Sequence, residues 1–590
     1  MNPTSPVSTG RALTLGAIIL LALAVHGPLL LMQLPVTSYD ANTHMFFASH
    51  YAGHWFNPWN EKWYGGFSQT TYPPLAHQWI ALFSHVLGLP LAYMFVQLCV
   101  VLLLPVGVFR YARLWVDERS ASYAAIGSIF LGSLALLVYQ SGQLPTTFAA
   151  ALTLNALPFF YDWARDARFS ALLKGVAISV AAAAVHHVTM IFGMALFAWP
   201  VLWLAAADAR REDRKTGAAP IMRAALFTLV VAVGIIVVLL PLFMAPQAAT
   251  GQVPIPHGSR DNYLLNPASG MNFWVIPHGL LLLALPFVFL RGCSNPRLRP
   301  LFFGWFLTLL IGLGGTTPVA QVLLGTIPKA LVGVDFFNVL TYERFTFWAT
   351  LMTLPIVGLL ASELIRRMPR FAPPALAVAA VLTCALAVGW TYYRPINSSP
   401  FKVDQVVGFL QNEGHAKFRW MTLGFGNQFA RVSREVDASS VDGDYNSARL
   451  LPELQASGAG QLYNAKYFGT AGMEALRSML KHANQYGLKY VFVRDRYYEP
   501  LLAFAGWRQA EVYDNGNVTL WVKDDVPPAR KLDFGVSVPG WQGMMWGTLP
   551  MLSSLFAIFL VVALPERRRV AETVEFPSAA ASAATLREAN

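Results

Sequence analysis

Apolar runs of about twenty residues recur along the chain, separated by short polar stretches that hold many of its basic residues. In helical conformation such a run is long enough to cross a bilayer. The pattern predicts spans near 12–34, 91–112, 120–139, 145–162, 172–190, 191–207, 223–243, 273–290, 301–318, 345–365, 372–392 and 544–564, twelve in all. Ala22-Leu23-Ala24 looks like a signal cleavage site, but the apolar run continues past it and reads as an uncleaved first span.

The polar gaps then give the orientation. Arg110, Arg113 and Arg119 follow the second span; Arg165, Arg168 and Lys174 follow the fourth. Arg210, Arg211, Arg214 and Lys215 follow the sixth, and Arg291, Arg297 and Arg299 the eighth. Arg366, Arg367 and Arg370 follow the tenth, and Arg567, Arg568 and Arg569 the twelfth. Every cluster falls on one side, which the positive-inside rule makes the cytoplasm. Both termini are then expected to be cytoplasmic, in the cytoplasmic (inner) membrane, with residues 565–590 a cytoplasmic tail. The first loop (35–90), the loops near 140–146, 244–272 and 317–344, and the segment 393–543 fall outside.

Two outer segments are more than turns. The first loop is dense in aromatics from Tyr51 to Trp79, and "PPLAHQWIALFSHVLG" (73–88) reads as a helix at the outer interface. In 393–543, "DQVVGFLQNEG" and "GMEALRSMLKHANQYG" have helical spacing. "KYVFVRD" reads as a strand, and "EVYDNGNVTLWV" as a hairpin turning at Asn515-Gly516. The expected fold is an α-helical polytopic membrane domain (1–392), a small extracytoplasmic α/β domain (393–543) and a last transmembrane helix (544–564).

Composition agrees. Hydrophobic residues make up 55% of the chain and charged ones 13%, against roughly 25% in soluble domains. The net charge of +11 resides in short loops, where it reads as topology, so the bilayer and not nucleic acid is the expected partner. Cys99, Cys293 and Cys384 suggest neither a disulfide framework nor a thiolate metal site.

Charge is scarce on the outer face, so each charged residue there counts. Asp40 ends the first span; a solvated helix-stopping aspartate and a functional carboxylate are both open readings. His44 follows one helical turn later, on the same face, where it would orient the Asp40 carboxylate or join it in binding a divalent metal. His50 and His54 repeat that spacing. His186 and His187 end the fifth span as a polar pair in an apolar run, which suits a site or an inter-helix hydrogen bond. "TYERFTFW" (341–348) sets Glu343 and Arg344 at the mouth of the tenth span. The arginine fork suits a phosphate at headgroup depth, while a snorkelling anchor is the plainer alternative.

An acid just after the first span, "WNEKWYGGFSQTTYPPLAH", an Arg-Phe opening a late span and an extracytoplasmic C-terminal domain together resemble the GT-C superfamily of membrane glycosyltransferases. The Asp-x-x-x-His, Gly-Gly and Tyr-Pro-Pro-Leu run is most similar to the bacterial and archaeal membrane proteins called "6-pyruvoyl-tetrahydropterin synthase-related". The resemblance implies a sugar donor linked to polyprenyl phosphate and a glycan, lipid or protein acceptor. By residue, it implies that Asp40 is the catalytic base or a ligand of a divalent metal (Mg or Mn), that Tyr72, Pro73 and Pro74 close the first loop, and that Arg344 contacts the lipid-linked phosphate. Many members carry an acidic pair in the first loop; here Asp40 stands alone, and the second outer loop, "YQSGQLPTTF", has no acid.

The expected activity is inverting sugar transfer, with Asp40 as base, His44 holding it, and Arg344 on the leaving phosphate. Trp63, Tyr64, Tyr72, His186, His187 and Glu343 are expected to line the substrate site. Two other classes compete: a lipid-linked sugar transporter or flippase, which would place acids at mid-span and repeat its halves, and a non-catalytic assembly or binding subunit. Neither mid-span acids nor a repeat is visible in the sequence.

Overall fold

The computed structural model describes residues 14–212, 217–245, 253–397 and 401–564. Arg214, Lys215, the Arg567–Arg569 cluster and the 565–590 tail lie outside the described residues. The first helix, α1 (Leu15–Leu31), starts at Thr14, whose hydroxyl accepts the Ala17 N–H at 3.3 Å. Its one polar side chain, His26, is satisfied inside the span by the Tyr139 hydroxyl (2.7 Å) and the Ile129 carbonyl (2.9 Å).

Among the described residues, eight helices are long and apolar enough to cross a membrane, and Leu15–Leu31 and Arg299–Ile311 are shorter apolar ones. Leu144–Asp166 is a further helix of 23 residues, at the place of the expected fourth span. The 44-residue segment Phe169–Glu212 contains two. Its backbone leaves the helix at His186 (φ −160°, ψ 95°), and its far end returns beside its start, where Glu212 pairs with Arg165 and Tyr161 donates to Asp208 at 2.7 Å. The twelve expected spans thus each fall on helix, but among the described residues only eight helices are long and apolar enough to cross a membrane.

The basic ends gather on one face. Arg297 reaches Asp208 at 3.2 Å and the Leu114 carbonyl at 2.7 Å, Arg291 pairs with Glu363, and Lys174 donates to the Leu564 carbonyl. The opposite face carries the first loop and the C-terminal domain. In the first loop, α2 (Ala41–His54) leads to a short hairpin of β1 (Trp59–Asn60) and β2 (Phe67–Ser68). Next comes α3 (Leu75–Leu87), the expected interfacial helix, which buries Leu75, Ala76, Ile80 and Ala81 and exposes Leu82, Val86 and Leu87. The loop near 317–344 holds a broken helix, Pro318–Ala320, Gln321–Thr326 and Ile327–Val332.

The C-terminal domain is built on four strands: β3 (Arg419–Leu423), β4 (Leu488–Val493), β5 (Arg508–Tyr513) and β6 (Val518–Val522). Their order is β3-β4-β6-β5, with β3 and β4 parallel and the other pairs antiparallel. The parallel pair needs a long crossover, supplied through the helices Gln428–Glu435 and Gly469–Lys481. The β5–β6 hairpin turns through Asp514, Asn515 and Gly516, all at positive φ (48°, 54° and 95°). This domain does not close on itself. Its core takes in Phe46 and Phe47 of α2 and Trp63, Tyr64 and Phe67 of the first loop, so loop and domain share one apolar interior.

Candidate functional site

Asp40 is placed by backbone contacts on both sides. After α1, a 3-10 turn (Leu34–Thr37) brings the chain under the π-turn Leu137–Ser141. The Tyr39 N–H donates to the Gln140 carbonyl at 2.9 Å and the Asp40 N–H to the Ser141 carbonyl at 3.0 Å. Gly142 allows this approach: its φ is +69°, and a Cβ there would lie 2.9 Å from the Ala41 nitrogen and 3.1 Å from that of Asp40. Asp40 occupies the N-cap position of α2, yet its carboxylate makes no capping bond. Instead it lines a cavity of about 420 Å³, together with Tyr39, Gln143, His257, Asn272 and Glu343.

The opposite wall begins the helix Glu343–Arg367. A strap from the preceding loop sets where that helix starts. Arg260 donates to the carbonyls of Ile255 (2.6 Å), Asn338 (2.6 Å) and Leu340 (3.2 Å), and the Ser259 hydroxyl accepts the Tyr342 N–H at 3.0 Å. Arg260 is thereby spent on structure. Gln143 donates to one Glu343 oxygen at 3.1 Å, while the other oxygen, like the Arg344 Nε, is buried without a hydrogen-bond partner. Arg344 lies close enough to Asp40 and Tyr72 to bias their ionisation, and among the described residues no ion pair is seen for it. A guanidinium edge withdrawn from water and left unpaired is costly unless a ligand completes it.

The histidines flank this pair. His186, at the apex of the folded-back segment, accepts the Thr189 N–H at Nδ1 (3.1 Å), so the neutral ring carries its proton on Nε2. Its ring sits 5.9 Å from that of Tyr72, and His187 stands beside it with a buried, unpartnered Nδ1. His257 is fixed in the same tautomer by the Ser259 N–H (3.2 Å). Asp40, Tyr72, His186, His187, Glu343 and Arg344, far apart in sequence, therefore converge.

Three expectations need correction. His44 does lie one helical turn after Asp40, its N–H bonded to the Asp40 carbonyl at 2.9 Å. Its Nδ1, however, meets His77 Nε2 at 3.0 Å, and burial pulls its imidazole down to about 3, so the two rings form a neutral N–H···N pair. Its partner is thus His77 rather than the carboxylate. A metal held by Asp40 and His44 does not fit either, since no three of His, Cys, Asp and Glu gather as a ligand set among the described residues. Trp63 and Tyr64 do not line the site. Both are 0% exposed; Trp63 stacks on Phe46 at 3.8 Å, and the Tyr64 hydroxyl accepts the Tyr445 N–H at 3.2 Å. Trp63→Ala should therefore act on stability, by about 3–5 kcal/mol. A clear drop in the melting temperature of the solubilised protein is expected; unchanged melting with lost activity would return Trp63 to the substrate.

The loop "VDGDYN" (441–446) of the C-terminal domain was not anticipated. It descends onto the first loop and brings acids to the site. The Asp444 carboxylate accepts from the Thr43 hydroxyl at 2.6 Å and from the Tyr463 hydroxyl, and Asp442 accepts the Tyr463 N–H at 2.8 Å. Tyr445 donates to the Thr71 carbonyl at 2.8 Å and packs edge-on against Tyr72 at 5.2 Å. Burial, with the Asp444 charge behind it, pushes the Asp40 carboxyl up to about 8, against the pull of Arg344. Burial likewise pushes Asp442 up to about 7. In a soluble domain rich in acids, nothing in the sequence marks these two.

No family model matches the chain, and no curated protein matches it in sequence. Solved structures similar to it include the arabinofuranosyltransferase AftD from Mycobacteria, at 11% identity and a TM-score of 0.48 over 87% of this chain and 42% of that one. The chain thus spans less than half of the AftD chain. ArnT from Cupriavidus metallidurans, bound to undecaprenyl phosphate, is similar at 12% identity and a TM-score of 0.48, over 87% and 99% of the two chains. The apo oligosaccharyltransferase of Archaeoglobus fulgidus is similar at 12% identity and a TM-score of 0.45, over 87% and 75%.

Proposed function

We propose that this chain is a GT-C-type glycosyltransferase that moves a sugar, with inversion, from a polyprenyl-phosphate carrier to a hydroxyl of a glycan, lipid or protein at the outer face of the cytoplasmic membrane. The narrower likeness to the "6-pyruvoyl-tetrahydropterin synthase-related" proteins belongs to the same proposal. The observation that carries it is the nearness of a carboxylate free of hydrogen bonds from its own helix, Asp40, to an arginine, Arg344, whose buried Nε has no partner among the described residues.

Asp40 takes the proton of the acceptor hydroxyl as the oxygen bonds to the anomeric carbon from the side opposite the phosphate. The carbon–oxygen bond to the carrier breaks, and the phosphate leaves with the bonding pair. Arg344 meets the charge that develops there, with donors fixed in place before the reaction. A carboxyl pushed up to about 8 is a competent base near neutral pH, since a base works best when its pKa lies close to the working pH. The rate should therefore climb with pH toward about 8 as Asp40 ionises.

The test presents radiolabelled polyprenyl-phosphate sugars to membranes containing the protein and measures release of free polyprenyl phosphate. Release that needs the protein supports transfer. No release from any carrier sugar, with native acceptors present, contradicts it.

The sidedness has its own test. Asn515, exposed at the hairpin tip, is changed to cysteine in a chain whose own Cys99, Cys293 and Cys384 are replaced. A membrane-impermeant thiol reagent should label it in intact cells. Labelling only after lysis would reverse the orientation.

A further inference from the structure

The fold binds the C-terminal domain to the first loop so closely that the domain's own acid reaches the turn that carries Asp40. We infer that Asp444 is the second carboxylate of the site: held at the first turn of α2, it governs how readily Asp40 takes up the acceptor's proton, so the C-terminal domain is part of the catalytic centre. This rests on the reading of Asp40 as proton acceptor.

Position comes first. Thr43, three residues after Asp40 on α2, donates its hydroxyl to Asp444 at 2.6 Å. Tyr39, just before Asp40, accepts from the Gln461 amide at 3.3 Å, and Tyr463, two residues on, donates to Asp444. The two carboxylates thus flank a single helical turn. Next comes rigidity. Gly443 has no room for a side chain, since a Cβ would lie 2.7 Å from the Tyr64 hydroxyl oxygen. The Ser440 N–H donates to the Lys62 carbonyl at 2.8 Å, and the Gly65 N–H to the Ser440 carbonyl at 3.1 Å. The buried Tyr64 therefore has a purpose: it seats the acid loop.

The two acids differ in their partners. Asp444 accepts from two hydroxyls, which stabilise its anion, whereas the Asp40 side chain makes no capping bond. A carboxylate with donors keeps its charge, and a nearby one without them holds the shared proton. Burial raises the Asp444 carboxyl as well, but the hydroxyls of Thr43 and Tyr463 pull against it, so of the two acids Asp40 is the one that holds the proton more readily. Several other groups face Asp40. Glu343 and Arg344 come from the helix Glu343–Arg367, Tyr93 from the helix Leu89–Ala112, and Tyr39 and Tyr72 from the first loop. His257 and Arg394 line the same cavity. Of these, Glu343 is the other anion, and it is bonded to Gln143 and unchanged in the variants below.

Asp444 acts through Asp40, so it is a positioning residue, and its test reads the protonation of Asp40 directly. A hydrophobic carbodiimide adds to protonated carboxyls, and peptide mass mapping of the full-length protein reports the modified fraction of Asp40 at each pH, with no substrate present. Removing a like charge lowers a neighbour's pKa, so Asp444→Asn should move the labelling midpoint of Asp40 down by about 1 pH unit or more. Asp444→Glu, which keeps the charge, should stay near wild type. Asp444→Ser, which removes the charge with a smaller polar side chain, should move the midpoint down likewise, and it carries the test if Asp444→Asn does not fold. The acidic limb of the transfer rate should shift in the same direction. An unchanged midpoint in Asp444→Asn, or in Asp444→Ser should that be the variant that folds, overturns the inference and leaves Asp444 a staple between loop and domain. A shifted midpoint, with transfer surviving in Asp40→Asn, keeps the coupling of the two acids and removes Asp40 as the base.

Discussion

Asp40→Asn should abolish sugar transfer while the protein remains folded and inserted. The amide keeps the shape of the carboxyl but accepts no proton. A positioned base contributes about 10²–10⁴-fold, so the loss should be plain in the release of polyprenyl phosphate. Folding should survive, because the Asp40 side chain makes no capping bond to α2, and a neutral amide beside Asp444 avoids the crowding of two acids. Equal expression, equal melting temperature and a rate down by two orders of magnitude or more (about) are the expected results. Wild-type turnover in this variant would remove the base from the mechanism.

Arg344 carries the second large effect. If the arginine only anchors the helix at headgroup depth, lysine replaces it, because both cations reach the interface. If it grips a phosphate with two donors in a plane, lysine fails, because an ammonium is a point charge without the fork. The buried, unpartnered Nε favours the grip. Arg344→Ala should lose about 10²–10³-fold in turnover, the usual cost of removing a preorganised donor from a developing charge. Arg344→Lys should lose most of the activity and fall short of wild type at any donor concentration. Neither should harm stability, since among the described residues the Arg344 Nε has no hydrogen-bond partner and no ion pair is seen for the side chain. Equal activity for the Arg and Lys forms would return Arg344 to an anchor.

The membrane part was legible because one length scale governs it. A run of about twenty apolar residues is a crossing, and a basic end marks its side. The His186-His187 pair could be read as the end of a span for the same reason, and the chain does turn back there. Inside the outer region that logic fails. Asp40 and His44 stand at the spacing of one helical turn, but spacing fixes only the face; which neighbour the ring meets depends on α3, which brings His77 to it. Trp63 and Tyr64 sit in an aromatic-rich loop, a pattern that serves equally for a sugar platform, a membrane interface or a core. Only the C-terminal domain packing over them makes them core. Strand β3 escaped notice because all five of its residues are buried, leaving no alternation to detect. Asp444 is the largest omission. It acts on Asp40 from about 400 residues further along the chain, through a shared core that no local pattern announces.

On the proposed function, a lipid-linked phosphate sits against Arg344 and a sugar against Asp40. Native mass spectrometry of the protein purified from its own membranes tests it most directly. The wild type should carry a polyprenyl phosphate, Asp40→Asn should retain the sugar-loaded form because transfer is blocked, and Arg344→Ala should lose both. A wild type and an Asp40→Asn variant that carry no polyprenyl-phosphate species, or an Arg344→Ala variant that carries them undiminished, would contradict it.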